Sequence, residues 1–209
     1  MLNTNSQKLL SDLVADLVFR GDIPHDVAAF LTYHGHAKTV GHSAQVAAEA
    51  RRLAVQVGED EAKAEVAGWL HDVSAVFPAA ERIKAAQIFQ VEILAEEEIF
   101  PMIIHQKLSV VLAHDLFGIT DQAILSAVGC HTTLKANAAR LDKVLFVADK
   151  IAWDQPGRPP YLAELLAGLA KSLDAAALAY IHYLWERRAM LKVVHPWLKE
   201  AHQQLSAQV

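Results

Sequence analysis

The sequence predicts an all-α protein, and three observations support this fold class. Hydrophobic residues make up 53% of the 209 residues, with only 9 Gly and 7 Pro, so helix breakers are few. Apolar residues recur at the three- and four-residue spacing of amphipathic helices. Segments with the strict alternation of half-buried strands do not occur. The chain is long enough to bury a sizeable core, and we expect one domain over residues 1–209.

Ten helices and one weaker helix are predicted. In chain order, the segments with helical spacing are 5–19, 24–33, 41–57, 60–73, 78–90, 107–116, 121–130, 138–153, 162–171 and 174–190, with the weaker one at 197–208. Helix breakers separate neighbouring segments at Gly58, Pro78, Pro101 and Gly118. Thr120 or Asp121 is expected to cap the helix that follows, because short polar side chains accept bonds from free N–H groups.

Charge and cysteine usage exclude several classes of protein. The net charge is -5 and the isoelectric point is near 6.1, which does not favour a nucleic-acid partner. Cys130 is the single cysteine, so an intramolecular disulfide is excluded and a reducing compartment is indicated. The N-terminal segment has amphipathic spacing and lacks the pattern of a signal peptide. Without an apolar run of roughly 18 residues, we expect a cytoplasmic protein with no membrane partner.

An acidic residue faces the apolar side of the helix "ARLDKVLFVADKIAW". At about 100° per residue, Leu141, Leu145 and Phe146 lie in the same arc as Asp149, whereas Lys143 and Lys150 are predicted to mark an exposed face. A buried carboxylate is costly unless it has a cation, a metal or a proton. Asp149 therefore needs a partner, and a salt bridge, protonation and a metal all remain open.

Several histidines lie at the ends of predicted helices. His71 and Asp72 follow the small residues of "AGWLHDVSAVFP", where Gly68 allows another helix to approach closely. His42 lies in the first turn of a predicted helix, His105 just before another, and His131 at the end of a third. A lone histidine is more often structural, but imidazoles together with carboxylates suit iron, manganese, zinc, cobalt or nickel. Asp72 could then offer one oxygen to each of two ions.

Three stretches give the chain a family resemblance: "GHSAQVA", "AGWLHDVSAVFP" and "HTTLKANAARLDKVLFVADKIAWDQPGR". They resemble the HD-domain metal-dependent phosphohydrolases, in particular the YqeK-type branch of symmetrical diadenosine tetraphosphate hydrolases, from about residue 38 to 200. The branch usually has glycine where Gln106 stands. The resemblance implies a single helical HD-domain bundle, with its core at about 38–155, flanking helices at both ends and a metal site in its centre.

The resemblance also implies the residues of a two-metal site. One ion would be held by His42, His71, Asp72 and Asp149, and the other by His105, His131 and the bridging Asp72. Iron is the expected ion, with the other transition metals as alternatives. His71 and Asp72 would also be catalytic. A second His-Asp pair, His114-Asp115, is expected to lie on the surface, because the branch has no ligand at this position.

The activity implied by the resemblance is hydrolysis of diadenosine tetraphosphate to two ADP by a metal-bridging hydroxide. Lys135, Arg158 and Thr132 are the candidates for substrate contacts, and ADP or GDP would bind as a product-like ligand. Two rivals stay open. One is an HD phosphohydrolase for a guanosine alarmone or a nucleoside monophosphate, and the other is a non-catalytic nucleotide-binding helical module. The sequence leaves monomer and homodimer open.

Overall fold

The structure, a computed structural model, describes residues 3–208 and has twelve α-helices in this range. They are α1 (Thr4–Leu13), α2 (Ile23–Tyr33), α3 (Ala37–Val57), α4 (Glu61–Leu70), α5 (Arg82–Ile88), α6 (Ala95–Ile99), α7 (His105–Asp115), α8 (Gln122–Cys130), α9 (Arg140–Ile151), α10 (Leu162–Leu169), α11 (Leu173–Glu186) and α12 (Pro196–Gln208). No strand occurs among these residues. The predicted all-α class is confirmed.

The differences from the predicted helices lie mainly at helix ends. Helix α3 begins four residues earlier than predicted, and α4 ends at Leu70, so that His71 lies just beyond it. The predicted helix at 78–90 is a 3-10 turn at Ala79–Glu81 followed by α5. Helix α6 was not predicted, because its five residues are too few to show a helical period. Of the two predicted caps, Thr120 and Asp121, it is Asp121 that caps α8.

Helix α9 runs through the centre of the structure. Its residues Leu141, Val144, Leu145, Phe146, Val147 and Ala148 are all buried. Helices α3, α4, α8 and α11 pack around it, which explains why most of its residues are buried. Two of its polar residues, Asp142 and Lys150, are buried as well, whereas Arg140 at its first position is exposed.

Helices α3 and α4 approach each other closely at Gly68. A Cβ atom at this position would lie 2.4 Å from Cα of Ala47 on α3. Only a glycine leaves room for this contact between two backbones, so the predicted role of the small residues before His71 is confirmed. This contact also sets the distance between His42 on α3 and His71 at the end of α4.

The buried apolar side chains form one cluster with members from α1 to α12. That the whole chain forms one domain stays a prediction. No helix within residues 3–208 has both the length and the apolar character needed to cross a bilayer.

Candidate metal centre

The structure brings the six predicted metal ligands together around the end of α4. Five helices or their ends supply them: α3 carries His42, the turn after α4 carries His71 and Asp72, α7 begins with His105, α8 is followed by His131, and α9 carries Asp149. Because these positions follow from how the helices pack, the cluster is built by the whole bundle rather than by one loop.

Asp72 is shared by two groups of possible ligands. His42, His71 and Asp72 form one group, and Asp72, His105 and His131 form the other, with ligand atoms within 4.8 Å of one another in each group. Oδ2 of Asp72 lies 3.5 Å from Nε2 of His71 and 4.0 Å from Nε2 of His42. Oδ1 lies 3.1 Å from Nε2 of His105 and 3.5 Å from Nε2 of His131. Each carboxylate oxygen therefore faces a different pair of imidazoles.

Asp149 belongs to the first group and has a cationic neighbour. Its Oδ1 atom lies 3.2 Å from Nε2 of His42 and 3.7 Å from Nε2 of His71. Its Oδ2 atom accepts a hydrogen bond of 2.5 Å from Nζ of Lys150, which also donates to the carbonyl of His131 at 3.2 Å. The prediction that Lys150 marks an exposed face was wrong: its side chain is buried, and it provides Asp149 with a counter-charge.

Three of the histidines are oriented by the backbone carbonyl three residues before them. Nδ1 of His71 donates to Gly68 at 2.7 Å, Nδ1 of His105 donates to Met102 at 2.5 Å, and Nδ1 of His131 donates to Val128 at 2.7 Å. With the proton fixed on Nδ1, the lone pair of Nε2 points into the cluster, as in metal-ligating histidines.

His42 differs from the other three histidines. Its Nδ1 atom is enclosed and has no hydrogen-bond partner among residues 3–208. Its Nε2 atom faces Asp149. Burial lowers the pKa of His42, but the hydrogen bond and charge of Asp149 outweigh this effect and raise that pKa above 6.5. Asp149 therefore stabilises the protonated imidazole of His42.

The two carboxyls are held in their ionised form. Burial alone would raise the pKa of Asp72, but the charge of His71 and contacts with His105 and His131 hold it well below 3.8. Burial likewise opposes ionisation of Asp149, and the charge of Lys150 leads the effects that lower its pKa. Burial lowers the pKa of His131 to about 4. Ionised carboxylates and neutral imidazole are the forms that bind metals.

The spacing and chemistry of the cluster fit transition-metal ions. Adjacent ligands that bind one ion at about 2.1 Å stand roughly 3–3.4 Å apart. The shorter separations in the cluster lie in or close to this range: 2.9 Å for His105–His131, 3.1 Å for His105–Asp72, 3.2 Å for His42–Asp149 and 3.3 Å for His42–His71. Imidazole and carboxylate suit first-row transition metals. The cluster could therefore hold a metal in either group.

The predicted substrate-binding residues occupy three different environments. Oγ1 of Thr132 lies 3.3 Å from Nε2 of His105, at the edge of the cluster. Lys135 is engaged elsewhere: its Nζ donates to Oγ of Ser126 at 2.7 Å and lies 3.5 Å from Oδ2 of Asp142. Arg158 is exposed. The substrate-binding roles of all three residues stay predictions. Of the three, Thr132 is the one that contacts a candidate metal ligand.

One cavity borders the cluster at His42, and a second one borders Thr132, the residue after His131. An open cleft of about 690 Å³ beside His42 is lined by Lys38 and Trp153 among others. A smaller cavity of about 160 Å³ is lined by Thr132, Tyr180 and mostly apolar side chains. Trp153 is 37% exposed. Its ring forms part of the cleft.

Sequence reasoning missed Gln106, whose side chain supports the segment after His131. Oε1 of Gln106 accepts the backbone N–H of Thr132 at 3.1 Å and Nε2 donates to Oγ1 of Thr133 at 3.1 Å. A single polar residue on a helix gives no sequence pattern from which such a tertiary contact could be predicted. The other His-Asp pair lies apart from the cluster, as predicted, with Nδ1 of exposed His114 at 2.6 Å from Oδ1 of Asp115.

Comparisons with known proteins agree with this arrangement. The HD-domain family matches residues 39–154. A Lactococcus lactis subsp. cremoris protein, described as an uncharacterized protein in the pepC 5' region, is 49% identical over 69% of this chain and 73% of its own length. A Bacillus subtilis protein named symmetrical bis(5'-nucleosyl)-tetraphosphatase is 32% identical over 58% of this chain and 62% of its own length. A Staphylococcus aureus protein with the same name is 28% identical over 58% of this chain and 60% of its length.

A solved structure has the same fold. A Clostridium acetobutylicum protein, described as a predicted HD superfamily hydrolase involved in NAD metabolism, superposes with a TM-score of 0.79 and 27% identity over 88% of this chain and 96% of its own. The family match includes every residue of the metal cluster, from His42 to Asp149. The chain therefore belongs to the HD-domain family of metal-dependent phosphohydrolases.

Proposed function

We propose that this protein hydrolyses diadenosine tetraphosphate symmetrically, giving two molecules of ADP, at a centre of two transition-metal ions. The observation that carries the proposal is the position of Asp72, whose two oxygens face two different pairs of histidines. A bridging carboxylate of this kind is typical of centres in which two ions act on one phosphoryl group.

The choice of substrate is supported by relatives. Two bacterial proteins named symmetrical bis(5'-nucleosyl)-tetraphosphatase are 32% and 28% identical to this chain. The matched segments cover 62% and 60% of those proteins, so their activity is carried over here as a proposal. The open cleft beside His42 would give one nucleoside of such a substrate a place next to the cluster.

The protein side chains would hold and orient the reacting groups. Bound metal ions, with iron expected, would lower the pKa of a water molecule and neutralise charge on the phosphoryl oxygens. Asp72 fixes the two ligand groups relative to each other, and His71 is held by its bond to Gly68. Lys150 leaves Oδ1 of Asp149 facing the histidines by occupying Oδ2. The hydroxyl of Thr132, 3.3 Å from Nε2 of His105, would donate to a phosphate oxygen.

The activity is tested by product analysis. Purified protein loaded with iron, manganese or zinc is incubated with diadenosine tetraphosphate, and the nucleotides are separated by ion-exchange chromatography. We expect ADP as the single product, and Asp72→Asn should abolish its formation. Asp115→Asn is the matched control, because Asp115 also follows a histidine but lies outside the cluster. Formation of ATP and AMP would contradict symmetrical cleavage.

A substrate panel separates the proposal from its rivals. Faster turnover of a guanosine alarmone or a nucleoside monophosphate than of diadenosine tetraphosphate would assign the same centre to another substrate. Tight binding of ADP or GDP by the metal-loaded protein, with no turnover of any compound in the panel, would favour the non-catalytic module.

The number of ions is tested by metal analysis of variants. We expect about two ions per chain in the parent protein after loading and dialysis. Asp149→Asn should lower this to about one, since Asp149 contacts only the group that contains His42 and His71. Asp72→Asn should remove metal from both groups, because Asp72 belongs to each. An unchanged metal content in Asp72→Asn would refute the shared ligand.

A further inference from the structure

Arg82 is a buried cation without a carboxylate partner. It begins α5 and is 8% exposed. Within residues 3–208, no carboxylate oxygen lies within 4.0 Å of its guanidinium, whereas the other two buried cations are paired, Lys107 with Glu97 and Lys150 with Asp149. Because an unpaired buried charge is unfavourable, the position of Arg82 requires an explanation.

Backbone carbonyls fix the guanidinium of Arg82 but use only part of it. Nε donates to the carbonyl of Phe77 at 3.1 Å, and Nη1 contacts the carbonyl and sulfur of Met102 at 3.3 and 3.4 Å. Nη2 has no hydrogen bond to the described residues. Among the described residues, the enclosed side-chain atoms without a hydrogen-bond partner are His42 Nδ1 and Ser43 Oγ. Nη2 of Arg82 is not one of them, so this atom is not fully enclosed. Nη2 is therefore within reach of solvent and of a ligand.

The guanidinium lies beside the His105 side of the metal cluster. The Met102 carbonyl that accepts from Nη1 of Arg82 also accepts from Nδ1 of His105 at 2.5 Å. Nε2 of His105 is in turn 3.1 Å from Oδ1 of Asp72. Burial lowers the pKa of Arg82, and the charge of Asp72 acts in the opposite direction. Asp72 is thus the acid whose charge Arg82 senses.

Metal binding would leave Arg82 without a compensating anion. Once the oxygens of Asp72 are bound to cations, the charge that favours ionised Arg82 is neutralised. The buried guanidinium of Arg82 is then unfavourable unless another negative group lies close to it. Guanidinium is suited to phosphate oxygens, because its N–H groups form directed, charge-assisted hydrogen bonds.

We propose that Arg82 binds a phosphate group of the ligand next to the His105 side of the metal centre. A role of Arg82 in catalysis rests on the phosphohydrolase activity proposed above, but its binding of phosphate does not depend on which nucleoside the substrate carries. It differs from the sequence-based candidates, since Lys135 already contacts Ser126 and Asp142. Arg82, held by two carbonyls and open at Nη2, is a preorganised donor.

Binding of inorganic phosphate to zinc-loaded protein tests the proposal. Isothermal titration calorimetry is carried out on the parent, on Arg82→Gln and on Arg140→Gln. Arg140 is the matched control, because it donates to the carbonyl of Gly58 at 3.3 Å on an exposed surface. We expect Arg82→Gln to weaken phosphate binding about tenfold to a hundredfold, with Arg140→Gln unchanged. A dissociation constant within twofold of the parent in folded, zinc-loaded Arg82→Gln would overturn the proposal.

A measurement on the unaltered protein covers the case in which Arg82→Gln does not fold. The Arg82 side-chain N–H signals are followed by ¹H–¹⁵N NMR in the zinc-loaded parent during titration with phosphate. We expect these signals to shift in proportion to phosphate bound at the centre. Signals that stay unchanged at saturation would overturn the proposal. Because the probe has no nucleoside, failure to cleave diadenosine tetraphosphate refutes the proposed substrate and leaves the phosphate result standing.

Discussion

Substituting Gly68 by alanine tests whether the contact between α3 and α4 positions the metal ligands. The new Cβ would lie 2.4 Å from Cα and 2.7 Å from N of Ala47. The two backbones would have to separate by about 1 Å to reach an ordinary van der Waals contact. Backbone atoms cannot rotate away as a side chain can, so the helices must move. His42 lies on one of them and His71 at the end of the other.

The expected stability change follows from two opposing effects. Alanine is preferred over glycine within a helix by roughly 1 kcal/mol, whereas overpacking costs about 1–3 kcal/mol. We expect the upper end of this range, because the new Cβ would meet backbone atoms of Ala47. Gly68→Ala should thus lower the free energy of unfolding by about 1–2 kcal/mol. Gly41→Ala is the matched control on α3, since its Cβ meets nothing within 4 Å, and it should raise stability by up to about 1 kcal/mol.

Urea denaturation of the metal-free variants measures this difference, and metal analysis measures its effect on the site. Separation of α3 from α4 should weaken binding at the group that contains His42 and His71, and should spare the group of His105 and His131. Gly68→Ala would then retain about one ion where the parent retains two. Stability equal to or above that of the parent would refute the reasoning, as would stability loss of the same size in Gly41→Ala.

Three further predictions concern two buried ion pairs and the cleft beside His42. Lys150→Met should raise the pKa of Asp149, because Lys150 leads the effects that lower it, and metal bound at that group should be lost at a higher pH than in the parent when pH is lowered. Glu97→Gln should destabilise the protein by roughly 3–5 kcal/mol near neutral pH, measured by urea denaturation, because it leaves Lys107 buried without its partner. Burial opposes ionisation of Glu97, but contacts led by His195 lower its pKa below 4.5. The stability that ionised Glu97 contributes is therefore present above pH 4.5 and is lost as the pH falls below that value. The urea midpoint of Glu97→Gln should lack this part of the acid dependence. Trp153→Ala should raise KM for diadenosine tetraphosphate, with little change in metal content, if the cleft beside His42 binds a nucleoside, and an unchanged KM would contradict this use of the cleft.

The all-α fold and the need of Asp149 for a partner could be predicted from the sequence for physical reasons, whereas the set of six ligands came from the family resemblance. Asp149 stands on an apolar helix where a lone carboxylate is unfavourable, and this conflict between residue type and environment is visible in the spacing alone. Gly68 could likewise be recognised as a place of close helix approach. Family resemblance then connected Asp149 with His42, His71 and Asp72, which lie far away in the sequence.

Residues that act through tertiary contacts could not be found in this way. Lys150 follows Asp149 directly, and helical geometry places adjacent residues about 100° apart, so it was predicted to face solvent. The long side chain instead reaches the Asp149 carboxylate in the crowded centre of the bundle. Arg82 and Gln106 were missed because their partners are carbonyls and N–H groups of distant segments, which leave no pattern in the sequence.

The charges around the cluster suggest an order of binding. Asp72 and Asp149 supply two negative charges, Lys150 pairs with one of them, and Arg82 adds a positive charge without a carboxylate partner. In the absence of metal, a phosphate would meet two ionised carboxylates and be repelled. With two divalent ions bound, the same site carries a positive excess that a polyphosphate can neutralise. Metal binding should therefore precede and strengthen phosphate binding, and Arg82 would contribute most after the charge of Asp72 has been taken up by the ions.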